Sequence, residues 1–207
     1  MKHELLKGDK IVLREMRDDD LELIHDWENR SELWHLGEIH EPLSEAQISD
    51  FINHSTGDIY TDEQLRLMID VIDSTSSLRG KNDRSNLPKD ADCHTEFIQS
   101  EVEVIALTIG CIDLFEFDKH NQRAGVGILI AEASNRKKGF AKDALNVLTN
   151  YCFETLNFRQ LYCHIPVDNE ASLRLFVSCG FEQTGTNRDW VKKRNTFIDA
   201  MFMQRLR

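Results

Sequence analysis

The run Arg136-Lys137-Lys138-Gly139-Phe140-Ala141 sets three cations and a glycine directly ahead of a long apolar-periodic stretch. A helix that begins there presents unpaired N–H groups and a partial positive charge, and both suit phosphate oxygens. Gly139 removes the side chain where a ligand would crowd the backbone. The plain alternative is a strand-to-helix turn with solvated lysines, and spacing alone weighs the two evenly. The run is not a P-loop, because GxxxxGK[ST] is absent, nor a dinucleotide fingerprint, because GxGxxG is absent. A second group with chemical potential is Asp113, set in the otherwise apolar stretch Cys111-Ile112-Asp113-Leu114-Phe115. An unpaired carboxylate buried there would be costly, so it faces a solvent-filled cleft, meets a cation, or lies at a strand surface.

The elements that must position these groups follow from periodicity. Residues 8–16 alternate as a strand, and Asp18-Asp19-Asp20 then supply carboxylates for a helix carrying Leu21, Ile24 and Trp27. Ser44 and Gln47 form a capping box for a second helix with Ile48, Phe51 and Ile52 inside, closed by Gly57. Leu65, Leu67, Ile69 and Val71 repeat at a period of two, which predicts a strand over 64–72. Residues 73–97 are poor in apolar side chains and read as a long loop. Strand character returns over 100–115, and the turn 118–122 leads to another strand at 124–131, an antiparallel hairpin. From Gly139, Ala141, Ala144, Leu145, Leu148, Tyr151 and Cys152 keep helical spacing for about four turns. A strand over 161–165, a helix over 169–178 ended by Gly180, and a final strand over 196–206 complete the order.

Three motifs in sequence order resemble one family. Arg136-x-x-Gly139-x-Ala141 matches the pyrophosphate loop of the GNAT acetyltransferases, Arg/Gln-x-x-Gly-x-Gly/Ala. Asn169-Glu170-Ala171-Ser172 and Cys179-Gly180-Phe181 are similar to that family's N-x-x-(S/A)…GF segment. Leu156-Asn157-Phe158-Arg159-Gln160-Leu161-Tyr162 resembles a stretch of its spermidine and ribosomal-protein N-terminal acetyltransferase branch, as do Leu13-Arg14 and Trp27. The resemblance covers roughly 8–72 and 98–207. It implies a single α/β (α+β) domain over 1–207, with a mixed, mostly antiparallel central sheet flanked by helices and a loop insertion at about 73–97. The sheet would be splayed between its fourth and fifth strands as read here, 124–131 and 161–165.

The resemblance also implies acetyl-CoA as cosubstrate and direct attack of an amine on the thioester. Backbone groups of Ile128, Leu129 and Ile130 would pair with the pantetheine arm, and an N–H near Leu129 would polarise the thioester carbonyl. Arg136, Lys137, Lys138, Gly139, Phe140 and Ala141 would hold the pyrophosphate, and Asn169, Ser172 and Phe176 would line the CoA arm. Asn169 reads equally as a helix N-cap. Phe176 stands where related enzymes often place an acidic Tyr, and Phe has no proton to give. Substitutes are Cys179, Tyr162 and His164, though Cys179 reads first as a packed residue and His164 reads equally as a core histidine. Asp113 and Glu132 are candidate base or amine-binding groups. Glu28, Glu32 and Glu38 offer carboxylates to a polyamine.

The expected acceptor is a primary amine, with spermidine or spermine leading. A protein N-terminal amine and a non-catalytic CoA sensor are the alternatives. Of the 207 residues, 25 are Lys or Arg and 36 are Asp or Glu, a formal net charge of -11. That argues against nucleic acid or a polybasic membrane anchor and mildly favours a cationic substrate. No apolar run is long enough to span a membrane, and the polar segment 1–10 is not a secretory signal, so the expected compartment is the cytoplasm. Five cysteines with no CxxC and no zinc-like spacing predict buried small hydrophobes and no metal. Self-association is left open, since relatives of this branch are often oligomers.

Overall fold

The structure, a computed structural model, describes residues 6–30, 41–72 and 107–207. The expected loop at 73–97, the start of the strand at 100–106, Glu32, Glu38 and Cys93 lie outside the described residues. The remaining elements are β1 (Leu6–Lys7), β2 (Ile11–Glu15), α1 (Leu21–Glu28), α2 (Glu45–His54), α3 (Ile59–Asp62), β3 (Leu65–Val71), β4 (Leu107–Asp118) and β5 (Arg123–Ile130). They are followed by α4 (Phe140–Asn150), β6 (Gln160–Pro166), α5 (Glu170–Ser178), β7 (Glu182–Lys193) and β8 (Thr196–Leu206). Among the described residues, one eight-stranded sheet runs in the order β1-β2-β3-β4-β5-β6-β8-β7. Every pairing is antiparallel except β5 with β6.

Strand alternation divides the apolar residues between two faces. Leu65, Leu67 and Ile69 of β3 join Ile112 and Leu114 of β4 in a core with Leu145 and Leu148 of α4 and Phe176 of α5. Met68 and Cys111, of opposite parity, pack with Ile24 and Trp27 of α1 and Ile48 and Ile52 of α2. The result is helix, sheet and helix in three layers, which a period of two in the strands and 3.6 in the helices requires.

Three local outcomes differ from the sequence reading. The stretch 8–16 is a hairpin turn and a strand, in which Gly8 donates to the Ile11 carbonyl. The Ser44–Gln47 capping box forms as expected, but α2 closes at Ser55, and Gly57, at φ 71°, serves the turn that follows. β7 escaped detection because its residues, from Glu182 to Asp189, are polar and mostly exposed, as suits the sheet's edge. No described helix is long and apolar enough to cross a membrane.

Candidate active site

β5 and β6 part early. Their parallel pairing joins Arg123–Gly125 to Gln160–Tyr162 and goes no further, while β5 stays paired with β4 up to Ile130. The Ala131 N–H donates to the Ile109 carbonyl at 3.0 Å, which fixes the phase of the ladder. Alternate residues present their backbone to alternate sides, so Gly127 and Leu129 face β4. Val126, Ile128 and Ile130 face the β6 side, and beyond the last paired residues Ile128 and Ile130 face the opening. Leu129's own N–H, near which the sequence reading set a donor, is turned to β4, and the neighbouring N–H groups turned the other way are those of Ile128 and Ile130. The Ile130 carbonyl accepts from Arg136 Nε at 3.0 Å, and Arg136 Nη2 donates to the Ala131 carbonyl at 3.0 Å. Arg136, expected to offer its charge to phosphate, also ties the end of β5 to the loop after it through its guanidinium.

Past that loop the backbone turns through left-handed residues, Lys137 at φ 61° and Gly139 at φ 89°. Gly139 is the N-cap of α4 and supplies no side-chain cap. The first N–H groups of α4, at Phe140, Ala141 and Lys142, thus lack the side-chain acceptor that capped helices carry. Lys137 and Lys138 are exposed beside them. A strand edge open to an extended amide chain, ending at a bare helix N-terminus among cations, fits a coenzyme with a pantetheine arm and phosphates. Asn169 serves as the cap of α5, its Oδ1 accepting from the Ser172 N–H at 3.2 Å. Phe176 is 3% exposed and meets Phe181 edge-on at 4.9 Å between centroids.

The opposite face of the sheet carries the polar groups. Asp113 does meet a cation: Arg66 Nε donates to its Oδ1 at 2.7 Å and Nη2 to its Oδ2 at 3.2 Å. Arg66 Nη1 also donates to Glu28 Oε1 at 2.6 Å, and its guanidinium lies over the Phe51 ring. Burial works against this cation, but Asp113 and Glu28 outweigh it and raise its pKa. Burial also pushes the neighbouring Cys111 thiol up to about 12, so it stays protonated. Glu132 is held by Arg30 Nη1 at 2.6 Å.

Along β6, Tyr162 and His164 share one side, as their spacing required. The Tyr162 hydroxyl donates to Glu116 Oε2 at 2.7 Å. Burial, then Glu116, raise the phenol's pKa. His164 stacks between Trp190 and Phe202 at 5.5 and 4.9 Å, with its Nδ1 2.8 Å from Asn187 Nδ2. Burial lowers its pKa, against the pull of Glu116. With Asn187 donating to Nδ1, the neutral ring carries its proton on Nε2. Cys179 is buried, its sulfur 4.0 Å from the Lys142 carbonyl and 3.9 Å from Ser178 Oγ, at the α4–α5 contact. Burial raises that thiol's pKa, so it stays protonated near neutrality. Among the described residues no three His, Cys, Asp or Glu side chains gather as metal ligands.

Arg66, Glu116 and Asn187 were not singled out by sequence. Each acquires its meaning from a residue 47, 46 and 23 positions away, on the adjacent strand for Arg66 and across one intervening strand for Glu116 and Asn187. Strand register supplies those neighbours, and composition does not encode it.

A sheet opened beside an uncapped helix start suits a coenzyme with an extended arm and phosphates. Residues 10–182 match the family described as the acetyltransferase (GNAT) domain. The chain belongs to that family, the GNAT acetyltransferases, whose acetyl donor is acetyl-CoA. Its fold is similar to the crystal structure of spermidine N-acetyltransferase from Vibrio cholerae in complex with CoA and spermine. The TM-score is 0.71 at 21% identity, covering 95% of both chains. In sequence it is 34% identical over 77 residues to the spermidine N(1)-acetyltransferase of Vibrio cholerae, 37% of this chain and 44% of that one. It is 25% identical over 205 residues to the uncharacterised N-acetyltransferase p20 of Bacillus licheniformis, 99% of this chain and 97% of that one. The match to the Vibrio relative thus spans less than half that protein's length.

Proposed function

We propose that the chain transfers an acetyl group from acetyl-CoA to a primary amine of a polyamine such as spermidine. The observation that carries this reading is the pairing of two features on one sheet. The free edge of β5 leads to the bare start of α4, and the β4 face beside it holds Asp113 and Glu28 around one Arg66. Two carboxylates to one guanidinium leave a net negative field, to which Glu116 adds, and such a field favours a polycation. The printed activity of the Vibrio relative supports the same substrate class.

When bound, acetyl-CoA supplies the thioester that the amine attacks. Ile128 and Ile130 orient the donor's arm through their backbone, and one of their N–H groups polarises the acetyl carbonyl. The N–H groups of Lys137 to Ala141 and the cations of Lys137 and Lys138 bind phosphate. Asn169 sits at the start of α5 for contact with the arm. Glu28 and Asp113 draw the acceptor's ammonium groups to the sheet. His164, neutral near pH 7 because burial lowers its pKa, receives the attacking amine's proton at Nδ1 once Asn187 releases that nitrogen, directly or through water, and CoA leaves as the thiolate, protonated from water.

A second reading, a CoA sensor without turnover, is favoured by Phe176, whose ring is committed to the core and carries no hydroxyl. The test is thiol release from acetyl-CoA against spermidine, spermine, simple diamines and short peptides, with Gly139→Glu as the matched control. Release with polyamines, lost in the variant, is the expected result. Release with peptides alone would transfer the activity to protein N-terminal amines. Acetyl-CoA binding without release from any acceptor would favour the sensor.

A further inference from the structure

Lys10 lies 128 residues from the phosphate loop in sequence, yet its ammonium sits on that loop. Nζ donates to the Lys138 carbonyl at 2.9 Å. A Cβ added to Gly139 would come within 3.1 Å of Nζ, so the cation stands against the start of α4 on the side that the glycine leaves bare. An ammonium has three N–H donors, and the carbonyl takes one. Lys10 is placed by its main chain: its N–H donates to Asp143 Oδ2 at 2.7 Å, and the Ile11 N–H donates to the same oxygen at 3.2 Å. Asp143 is in the first turn of α4, so this clamp fixes the β1–β2 turn against the helix start. Gly8 belongs to the same fit, because a Cβ there would meet the Asp143 carboxylate at 2.5 Å. Arg136, the cation the loop motif itself nominates, is folded back on the Ile130 and Ala131 carbonyls.

From this geometry we infer that Lys10 is a phosphoryl-binding residue of the acetyl-CoA site, contributed by the β1–β2 turn. The inference rests on the acetyl-CoA reading above. Lys10 adds, from outside the motif, a further cation beside Lys137 and Lys138 while two of the Arg136 nitrogens hold the backbone.

The chemistry is that of an ammonium on a phosphoryl oxygen, and CoA offers two sources: the pyrophosphate and the 3′-phosphate. The experiment is calorimetric titration of wild-type, Lys10→Met and Lys10→Arg protein with acetyl-CoA, 3′-dephospho-CoA and S-acetylpantetheine. Lys10→Met keeps the stem and the backbone clamp and removes the charge. It is expected to weaken acetyl-CoA binding about tenfold, as loss of one charge-assisted hydrogen bond does, with Lys10→Arg close to wild type. An equal loss on dephospho-CoA assigns the contact to the pyrophosphate; a loss confined to acetyl-CoA assigns it to the 3′-phosphate. S-acetylpantetheine, which has neither, should bind both forms alike. Unchanged acetyl-CoA affinity in Lys10→Met overturns the assignment and leaves the acetyl-CoA site intact. An equal loss on S-acetylpantetheine, with a lowered melting temperature, also overturns it by showing a structural role. Wild-type protein that binds no acetyl-CoA overturns both readings together.

Discussion

Gly139 is where backbone conformation and ligand chemistry meet in one residue. At φ 89° an L side chain is strained by about 1–2 kcal/mol, and a methyl there would stand 3.1 Å from Lys10 Nζ. Gly139→Ala should therefore lose roughly 1 kcal/mol in urea unfolding and weaken acetyl-CoA binding measured by calorimetry. Unaltered stability would mean the turn relaxes without cost. His164 makes a different prediction. Burial lowers its pKa below the ordinary 6.5, so near that value the unfolded chain binds more protons than the folded one. The stability it contributes is present above pH 6.5 and is lost as pH falls below that value. Wild-type protein should lose more melting temperature between pH 7.5 and about pH 5.5 than His164→Gln. The base role predicts in addition that the acid limb of kcat/KM disappears in the variant. Parallel melting curves for the two proteins would show that His164 is not desolvated.

At the scale of elements, the most consequential packing joins four segments through one guanidinium. Arg14 of β2 donates to both Asp20 oxygens at 2.7 and 2.8 Å and to Asp70 of β3 at 2.6 Å. Thr108 of β4 closes the group on Asp70 at 2.7 Å. Arg14, Asp20 and Asp70 are all buried, so Arg14→Leu would strand two carboxylates. Loss of a buried partner costs about 3–5 kcal/mol, and denaturant unfolding should read that loss, together with loosening of α1 in hydrogen exchange. A change below about 1 kcal/mol would show that the acids find water. This group also shows what sequence reveals and what it hides. Leu13-Arg14 was legible as a motif, and the period-two strands, the capping box and the helix starting after Gly139 were legible because local periodicity encodes them. The polar edge strand β7 was not, because an exposed strand has no apolar alternation to read. Arg66 on Asp113, and Lys10 on the phosphate loop, were not either. Both depend on which strands and turns come to lie together, and no local pattern carries that information. Arg136 was legible as a charge beside the loop, but its bonds to the Ile130 and Ala131 carbonyls were not, because spacing shows a charge and not which backbone groups it meets.

For the whole molecule, the net charge of -11 sets the field in which a cationic acceptor arrives. At about 0.02 M salt this field reaches roughly 20 Å, and at about 0.2 M it is confined to about 7 Å. The site adds a local term, since Glu28, Asp113 and Glu116 outnumber Arg66 on the face beside the opened strands. Attraction grows with the charge of the acceptor, so the salt dependence of kcat/KM should rise from a monoamine to spermidine to spermine. A drop of roughly threefold to tenfold for spermine over that salt range, with kcat little changed, fits steering and site binding together. Asp113→Asn should flatten the dependence by removing the site's share while leaving the global field in place. Because it also leaves Arg66 with one carboxylate, the variant should raise KM for polyamines more than for a neutral-tailed amine. Equal salt slopes for all amines would place acceptor recognition on uncharged contacts such as the Tyr162, His164 and Trp190 rings. The polyamine would then lose its electrostatic argument, and a peptide amine would become the acceptor to pursue.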